Sequence, residues 1–495
     1  MSAAHATTTP THKPPKGLFT VYLLGLFAFS VSVLALASLT GRHHTTTPSP
    51  SSARRLAINF PPPKAKRSGR LVWWFAPFFS GSGMGMEALQ LVLGLQQHTQ
   101  FAGRVLMSSH GDLDDPQVFN GLPADTQQQV ARMMNAAATI DGATAASAII
   151  VCHSEPGAWA LPHPLYETRP CPPVPLEQSA FVVARSMWEA DRLPKHHVER
   201  MNQLGEVWVP TEFHRDSFAA SGVDARILHV VPEPVDVHNH FDPLRHRPLP
   251  LPLDQRVFGP DWPHIGQDDD EDGGLYGGDE SSPPFVFLSV FKWETRKGWD
   301  VLLRAYLTAF TAEDNVLLML STKPFHSESN FAWARRELGD LASDLQKLPS
   351  VYVASRHLPQ TTYPSLFKSA DCFVLPTRGE GWGLPVAEAM AMELPVIVTN
   401  WSGPTAYLDD TFGYPLAIEG LAEVQEGAFK GHRMAEPSVD HLVQLMQHVV
   451  GNRFEAMARG RAARRRMVAL YSPAAVAQIV EAQLRRIEGA LGEEE

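Results

Sequence analysis

The feature that most restricts how this chain can fold is an alternation that occurs twice. Short apolar runs, each long enough for one strand, alternate with helix-period segments as βαβ units do. The first series starts at Leu71–Ala76 (LVWWFA) and continues through Arg104–Met107, Ala148–Cys152, Phe181–Ala184, Glu206–Val209 and Ile227–Val231. Helical patterns such as Met84–Gln97 and Thr211–Ala220 lie between them. The second series starts at Phe285–Val290 (FVFLSV) and recurs at Asn315–Leu320, Val351–Ala354, Cys372–Leu375 and Pro395–Thr399, before a helical stretch over 438–491. Periodicity stops between the two, at 242–284, where Pro, Asp and Gly dominate. The pattern predicts two Rossmann-like α/β domains at 71–241 and 285–470. An acidic linker insertion at 242–284 is too polar and turn-prone to pack, and a C-terminal helix with an acidic tail occupies 471–495. Open parallel sheets bind ligands beyond the carboxyl ends of their strands, so two facing sheets make a cleft where the chemistry belongs.

The start of the chain reads differently. After a short tail at 1–17, Leu18–Leu39 carries no charge, and twenty-two helical residues span about 33 Å, enough to cross a bilayer core. Ala35-Leu36-Ala37 resembles a signal-peptidase site, which makes a cleaved signal the rival reading. A signal core is about 7–15 residues and this run is longer, which favours a single-pass anchor. Lys13 and Lys16 precede it while Arg42, Arg54 and Arg55 follow, so charge bias sets no orientation. Residues 40–70, rich in Thr, Ser, Pro and basic residues, form a stem. The formal charge of −11 excludes a nucleic-acid binder. Eight acidic residues between Asp261 and Glu280 supply most of that charge. Three cysteines, Cys152, Cys171 and Cys372, exclude a disulfide scaffold and leave room for at most one bridge.

Three loops follow strands and carry candidate chemistry. After the first strand, Phe78–Gly85 (FFSGSGMG) leads into a helix; Gly81, Gly83 and Gly85, with Ser82 among them, allow a tight turn and close backbone approach, and the helix N-terminus offers N–H groups to an anion. After Phe285–Val290, Lys292, Arg296 and Lys297 place three cations before the helix Trp299–Phe310, which suits a diphosphate. After Cys372–Leu375 comes PTRGEGWGLPVAEAMAMELPVIVTN. Glu380 stands in its Gly-rich loop, Gly383-Leu384-Pro385 opens a helix, and Glu388 lies about one turn further on. Two acceptor carboxylates flanking a helix N-terminus can hold hydroxyls on either side of a diphosphate.

With seven residues between Glu380 and Glu388, GEGWGLPVAEAMAMELPVIVTNWSGP closely resembles the E-x7-E region of retaining GT-B glycosyltransferases of the family 4 type, the glycosyl transferases group 1. SVFKWETRKGWDVLLRAY and EVWVPTEFHRDSFAASGVDARILHVVPEPVD are similar to other parts of that family, and the resemblance covers roughly residues 71–490. It implies a GT-B fold and transfer of a sugar from a nucleoside diphosphate with retention. Glu380 would contact the donor sugar, Glu388 the ribose, and Lys297 with Lys292 or Arg296 the diphosphate. Backbone N–H groups of Gly381, Trp382, Gly383 and Leu384, just before Pro385, would approach the diphosphate, and the Gly81–Gly85 loop would face the donor. Many members have Gly-Arg where this chain has Phe291-Lys292. His153 fits a cleft histidine, catalytic beside the sugar or acceptor, or else a loop histidine with a structural hydrogen bond. Arg185, Glu189 and Asp191 are candidates to touch the acceptor.

A GT-B site of this type needs no cofactor and no obligatory metal, although Asp112-Leu113-Asp114 forms a DxD string. The expected partners are a nucleotide sugar, a glycan, lipid or glycoprotein acceptor, and a membrane through residues 18–39. The short tail, anchor and stem suit a Golgi or ER enzyme facing the lumen. Against this, Asn400-Trp401-Ser402 is the sole N-x-S/T sequon, a scarcity that suits a cytosolic face. A dinucleotide-dependent dehydrogenase lacks its fingerprint here. The remaining alternative is a catalytically silent, membrane-tethered protein that binds sugar nucleotides.

Overall fold

Every residue of β1 (Val72–Ala76) is buried, as in the centre of a parallel sheet covered on both faces. The computed structural model describes residues 69–159, 170–251, 255–259, 283–324, 347–354 and 358–493. The expected anchor and most of the stem and acidic insertion lie outside the described residues. Among these residues no helix is long and apolar enough to cross a membrane.

Beyond β1 the first lobe runs through α1 (Gly83–His98), β2 (Val105–Ser109), α2 (Pro116–Asn120), α3 (Ala124–Ala137), α4 (Gly142–Ser147) and β3 (Ile149–His153). It continues with β4 (Phe181–Arg185), α5 (Lys195–Met201), β5 (Glu206–Val209), α6 (Glu212–Ser221) and β6 (Leu228–Val230). Its sheet has the order β2-β1-β3-β4-β5-β6, with all pairings parallel. Side chains of β1 alternate between two apolar layers, Trp74 joining one and Trp73 and Phe75 the other, as the period of two requires.

The second lobe contains β7 (Gln255–Phe258), β8 (Phe285–Trp293), α7 (Trp299–Ala309), β9 (Val316–Pro324), β10 (Ser350–Ala354), α8 (Tyr363–Lys368) and β11 (Cys372–Leu375). Then come α9 (Leu384–Ala391), β12 (Val396–Thr399), β13 (Tyr414–Leu416), the pair β14 (Ile418–Glu423) and β15 (Arg433–Pro437), α10 (Val439–Gly451), α11 (Arg453–Tyr471) and α12 (Pro473–Glu493). The sheet order is β13-β12-β11-β8-β9-β10-β7, parallel except for β7, which runs antiparallel to β10.

Two expectations need correction, and one helix finds its lobe. The insertion at 242–284 was expected not to pack, yet β7 closes the edge of the second sheet and buries Val257 and Phe258. Four residues are too short to show a period, so only the pairing with β10 reveals the strand. The first lobe was bounded at residue 241, but Val235, Val237 and Phe241 already belong to the second lobe's apolar cluster. The C-terminal helix returns to the first lobe: Val476, Val480, Leu484 and Ile487 join the layer that contains Trp74 and Leu89. Their spacing of three and four residues puts them on one face of α12. Cys152 and Cys171 form a disulfide, while Cys372 is free and buried.

Candidate active site

In the second sheet the chain moves outward from β8 to β9 and β10, then restarts on the other side with β11 and β12. Strand order therefore reverses between β8 and β11, and a crevice opens beyond their carboxyl ends. The two loops that leave these strands are bonded to each other. Arg378 N donates to Arg296 O at 2.7 Å, and Arg296 Nη1 donates to Gly379 O at 2.6 Å. Gly298 is required at the junction, because its φ is +67° and a Cβ there would stand 1.9 Å from the Pro376 carbonyl oxygen.

Glu380 is the centre of this junction, only 5% exposed. Lys297 Nζ donates to both carboxylate oxygens, at 2.7 and 2.8 Å, and Thr377 Oγ1 donates to Oε1 at 2.9 Å. The Glu380 backbone N–H donates to Ser402 Oγ at 2.9 Å, and Arg296 Nη1 lies 3.6 Å from Oε2. Burial alone would raise the Glu380 carboxyl, but Lys297 and then Arg296 outweigh it and hold the group below its ordinary value. Burial, followed by the Arg296 charge, lowers the Lys297 ammonium against the pull of Glu380.

The expected cations separate here. β8 runs three residues beyond Val290, to Trp293, and carries Lys292 to an exposed position in register with Lys323. Arg296 follows in the turn beside Glu380. Gly383, at φ +92°, caps α9 with no side-chain hydrogen bond, and Leu384 and Pro385 form the first turn. Glu388 is half-buried and accepts from Tyr363 Oη at 3.1 Å. Burial pushes its carboxyl up to about 7, against the opposing hydrogen bond from Tyr363. Trp382 is buried, and its ring packs 4.9 Å from Tyr407, whose hydroxyl donates to Trp382 O at 2.7 Å.

The first lobe supplies the facing wall. Its sheet reverses order between β1 and β3, so the loop after β1 stands at its crevice. Gly83 in this loop approaches the second lobe, where a Cβ would lie 3.5 Å from Leu384 Cδ1. Gly81 has φ +68°, and the Ser82 hydroxyl caps α1 by accepting from Gly85 N. The loop after β4 also meets the Gly-rich loop, because a Cβ on Gly379 would stand 2.2 Å from the Glu189 carbonyl oxygen.

His153 lies beneath this wall, with no exposed surface. Trp74 Nε1 donates to its Nδ1 at 3.2 Å, so the ring proton sits on Nε2 and points to Glu87 Oε2 at 3.1 Å. Both ring nitrogens are thus engaged inside the lobe, and burial lowers the imidazole against the pull of Glu87. Arg185 is also fully buried. Its Nε and Nη2 donate to Glu87 Oε1, and Nη1 donates to Val231 O at 2.6 Å. A guanidinium engaged in this way offers no surface to an acceptor. Glu189 reaches Arg296, with Oε1 3.6 Å from Nη1. Asp191 fastens the first lobe to β15 through the Arg433 N–H at 2.7 Å. Asp112 and Asp114 are exposed, and Asp114 accepts from Ser109 Oγ.

HepE from Anabaena, solved in complex with UDP and glucose, has a TM-score of 0.54 to this chain at 12% identity, covering 84% of this chain and 100% of that one. Sucrose-phosphate synthase from Thermosynechococcus elongatus gives 0.53 at 13% identity, over 85% and 100%. The fold is GT-B. Residues 282–424 of this GT-B chain match the family described as glycosyl transferases group 1. Mannosylfructose-phosphate synthase from Agrobacterium fabrum is 26% identical over 118 residues, which is 24% of this chain. The chain spans about a quarter of that relative's length, 26%.

Glu87, Thr377, Tyr363 and Ser402 support the GT-B cleft and were not expected from the sequence. For Glu87 a signal existed. It stands one turn before Leu91 on the apolar stripe of α1, where a carboxylate must find a buried partner.

Proposed function

We propose that this chain is a glycosyltransferase that moves a sugar from a nucleoside diphosphate to a glycan, lipid or protein-linked acceptor, with retention. What carries the reading is the position of Glu380, Lys297 and Arg296 at the strand-order reversal of the second sheet, beside the N-terminus of α9. Departure of the diphosphate builds negative charge. Lys297, Arg296 and the backbone N–H of Leu384, which opens α9, stabilise that charge without a metal, because they are fixed before the bond breaks. In the free cleft Lys297 is satisfied by Glu380, so the donor draws the ammonium toward phosphate while Glu380 turns to the sugar hydroxyls. Glu388 holds the ribose.

Residues 18–39 anchor the enzyme, and its catalytic lobes face an oxidising lumen of the Golgi or ER. The Cys152–Cys171 bond supports the lumenal side, since such bonds are rare in the cytosol. The test presents the detergent-solubilised full chain with a panel of nucleotide sugars and measures released nucleoside diphosphate. Turnover of one donor supports the enzyme. Tight donor binding with no turnover, with acceptors supplied, supports the silent relative.

The ribose contact has its own signature. An ionised carboxylate accepts from two hydroxyls, whereas its acid form does so poorly. Because Glu388 titrates near 7, nucleoside diphosphate affinity should rise as pH increases through that value. Glu388→Gln should weaken binding by about 1.5–3 kcal/mol at pH 8, the range for a hydrogen bond to a charged group. It should also flatten the pH dependence, and calorimetry across pH 6–8 reads both effects.

A further inference from the structure

Two buried polar atoms on the first-lobe side of the cleft have no hydrogen-bond partner among the described residues: Ser186 Oγ and Glu233 Oε1. They follow the carboxyl ends of β4 and β6, two strands of the one parallel sheet. Across from them, Trp382 Nε1 is also buried and unpartnered. Buried polar atoms are ordinarily paired, so a group of orphans along a cleft marks a place where a polar ligand completes the bonding.

Glu233 is the most demanding of these groups, at 2% exposure. Its segment crosses between the lobes. Val231 N donates to Val209 O of β5, and Val235 N donates to Tyr471 O at the end of α11. Tyr471 packs on Trp382 at 5.2 Å. The segment therefore lies between the Arg185–Glu87 pair, which grips Val231 O, and the Trp382–Tyr407 wall. The charges that act on Glu233 are mostly of its own sign: Glu87 from α1, Glu380 from the Gly-rich loop and Glu189 from the loop after β4, opposed by Arg185. Tyr407 senses both Glu380 and Glu233.

We propose that Glu233 is a substrate-contacting residue of this cleft, donating a hydrogen bond from its carboxyl O–H to an oxygen of the transferred sugar from the first-lobe side. This rests on the glycosyltransferase reading above. Burial first, and then Glu87, keep the carboxyl protonated well above its ordinary range, with Arg185 opposing. The neutral form has a function: an ionised Glu233 would add another carboxylate to a site that must admit a diphosphate. The acid form supplies a donor where Glu380 and Glu388 can only accept.

Glu233→Gln keeps a neutral donor of similar shape, and Glu233→Leu removes it. With the full chain and the donor it turns over, the Gln variant should hold kcat and donor KM within about threefold of wild type. The Leu variant should raise donor KM about tenfold, the effect of one lost hydrogen bond. Affinity for the nucleoside diphosphate alone should stay unchanged in both, which a merely structural role would not produce. A Leu variant with wild-type KM overturns the proposal, as does a Gln variant as impaired as Leu or an equal loss of donor and nucleoside diphosphate affinity. A wild-type chain that released nucleotide from no donor would instead overturn the glycosyltransferase reading. Calorimetric donor binding by the same variants then decides on Glu233, equal affinity in wild type and Leu variant counting against it.

Discussion

Lys297→Ala should lower donor turnover by about 10²–10³, the usual cost of removing one preorganised group from a developing charge. Donor affinity should fall less, because the diphosphate gains negative charge only as the anomeric bond breaks. The ion pair sharpens the expectation. Lys297 donates to both oxygens of Glu380 at 2.7 and 2.8 Å, so its loss also leaves the carboxylate to be balanced by Arg296, 3.6 Å away. Glu380 then takes up a proton more readily, and the variant should lose further rate on the acid side, where the carboxyl is neutral. Lys297→Arg should rescue in part, since a planar fork replaces a point charge. Single-turnover kinetics with a chelator control separate the alternatives. A chelator-sensitive enzyme indifferent to Lys297→Ala would point to a metal instead.

The parts legible in the sequence were those fixed by short spacing. Glu380 and Glu388 sit on one loop and the helix it opens, so seven intervening residues determine their relation. β5 and β11 fall at Glu206–Val209 and Cys372–Leu375 as the apolar runs predict. What the sequence hid depends on partners far along the chain. Nothing near Glu189 announces Arg296, and nothing in QRVF announces β10. Lys292 and Arg296 could not be separated from spacing, because the choice depends on how far β8 extends before its turn. His153 shows the same limit: a histidine after a strand points toward a cleft or into the lobe according to Trp74 and Glu87, each distant in sequence. Helix α12 is the largest case. Its apolar face is visible at 476, 480, 484 and 487, but the face alone does not say which lobe receives it.

Arg185→Met should destabilise the protein by about 3–5 kcal/mol, the cost of leaving one member of a buried ion pair without its partner. Glu87 has no exposed surface and takes bonds from Arg185 and from His153 Nε2. Without the guanidinium its charge faces an imidazole that burial keeps neutral, which offers a hydrogen bond but no counter-charge. The double variant Glu87→Leu/Arg185→Met should recover most of the loss, since well-packed apolar residues often replace a buried pair at little cost. Acid adds an independent check. Burial would raise the Glu87 carboxyl, but Arg185 and then His153 hold it below its ordinary value of 4.5. Its contribution to stability is therefore present above that value and is lost as pH falls through the lower folded value. Denaturant midpoints measured below pH 4.5 should show this acid loss in wild type and less of it in the double variant, while the loss that the buried His153 causes below 6.5 is present in both. The pair also connects to the cleft. Arg185 holds the Val231 carbonyl, two residues before Glu233, so a stable double variant should still misplace that segment and raise donor KM. Recovery of stability without recovery of KM would separate the charge balance of the lobe from its positioning of the cleft wall.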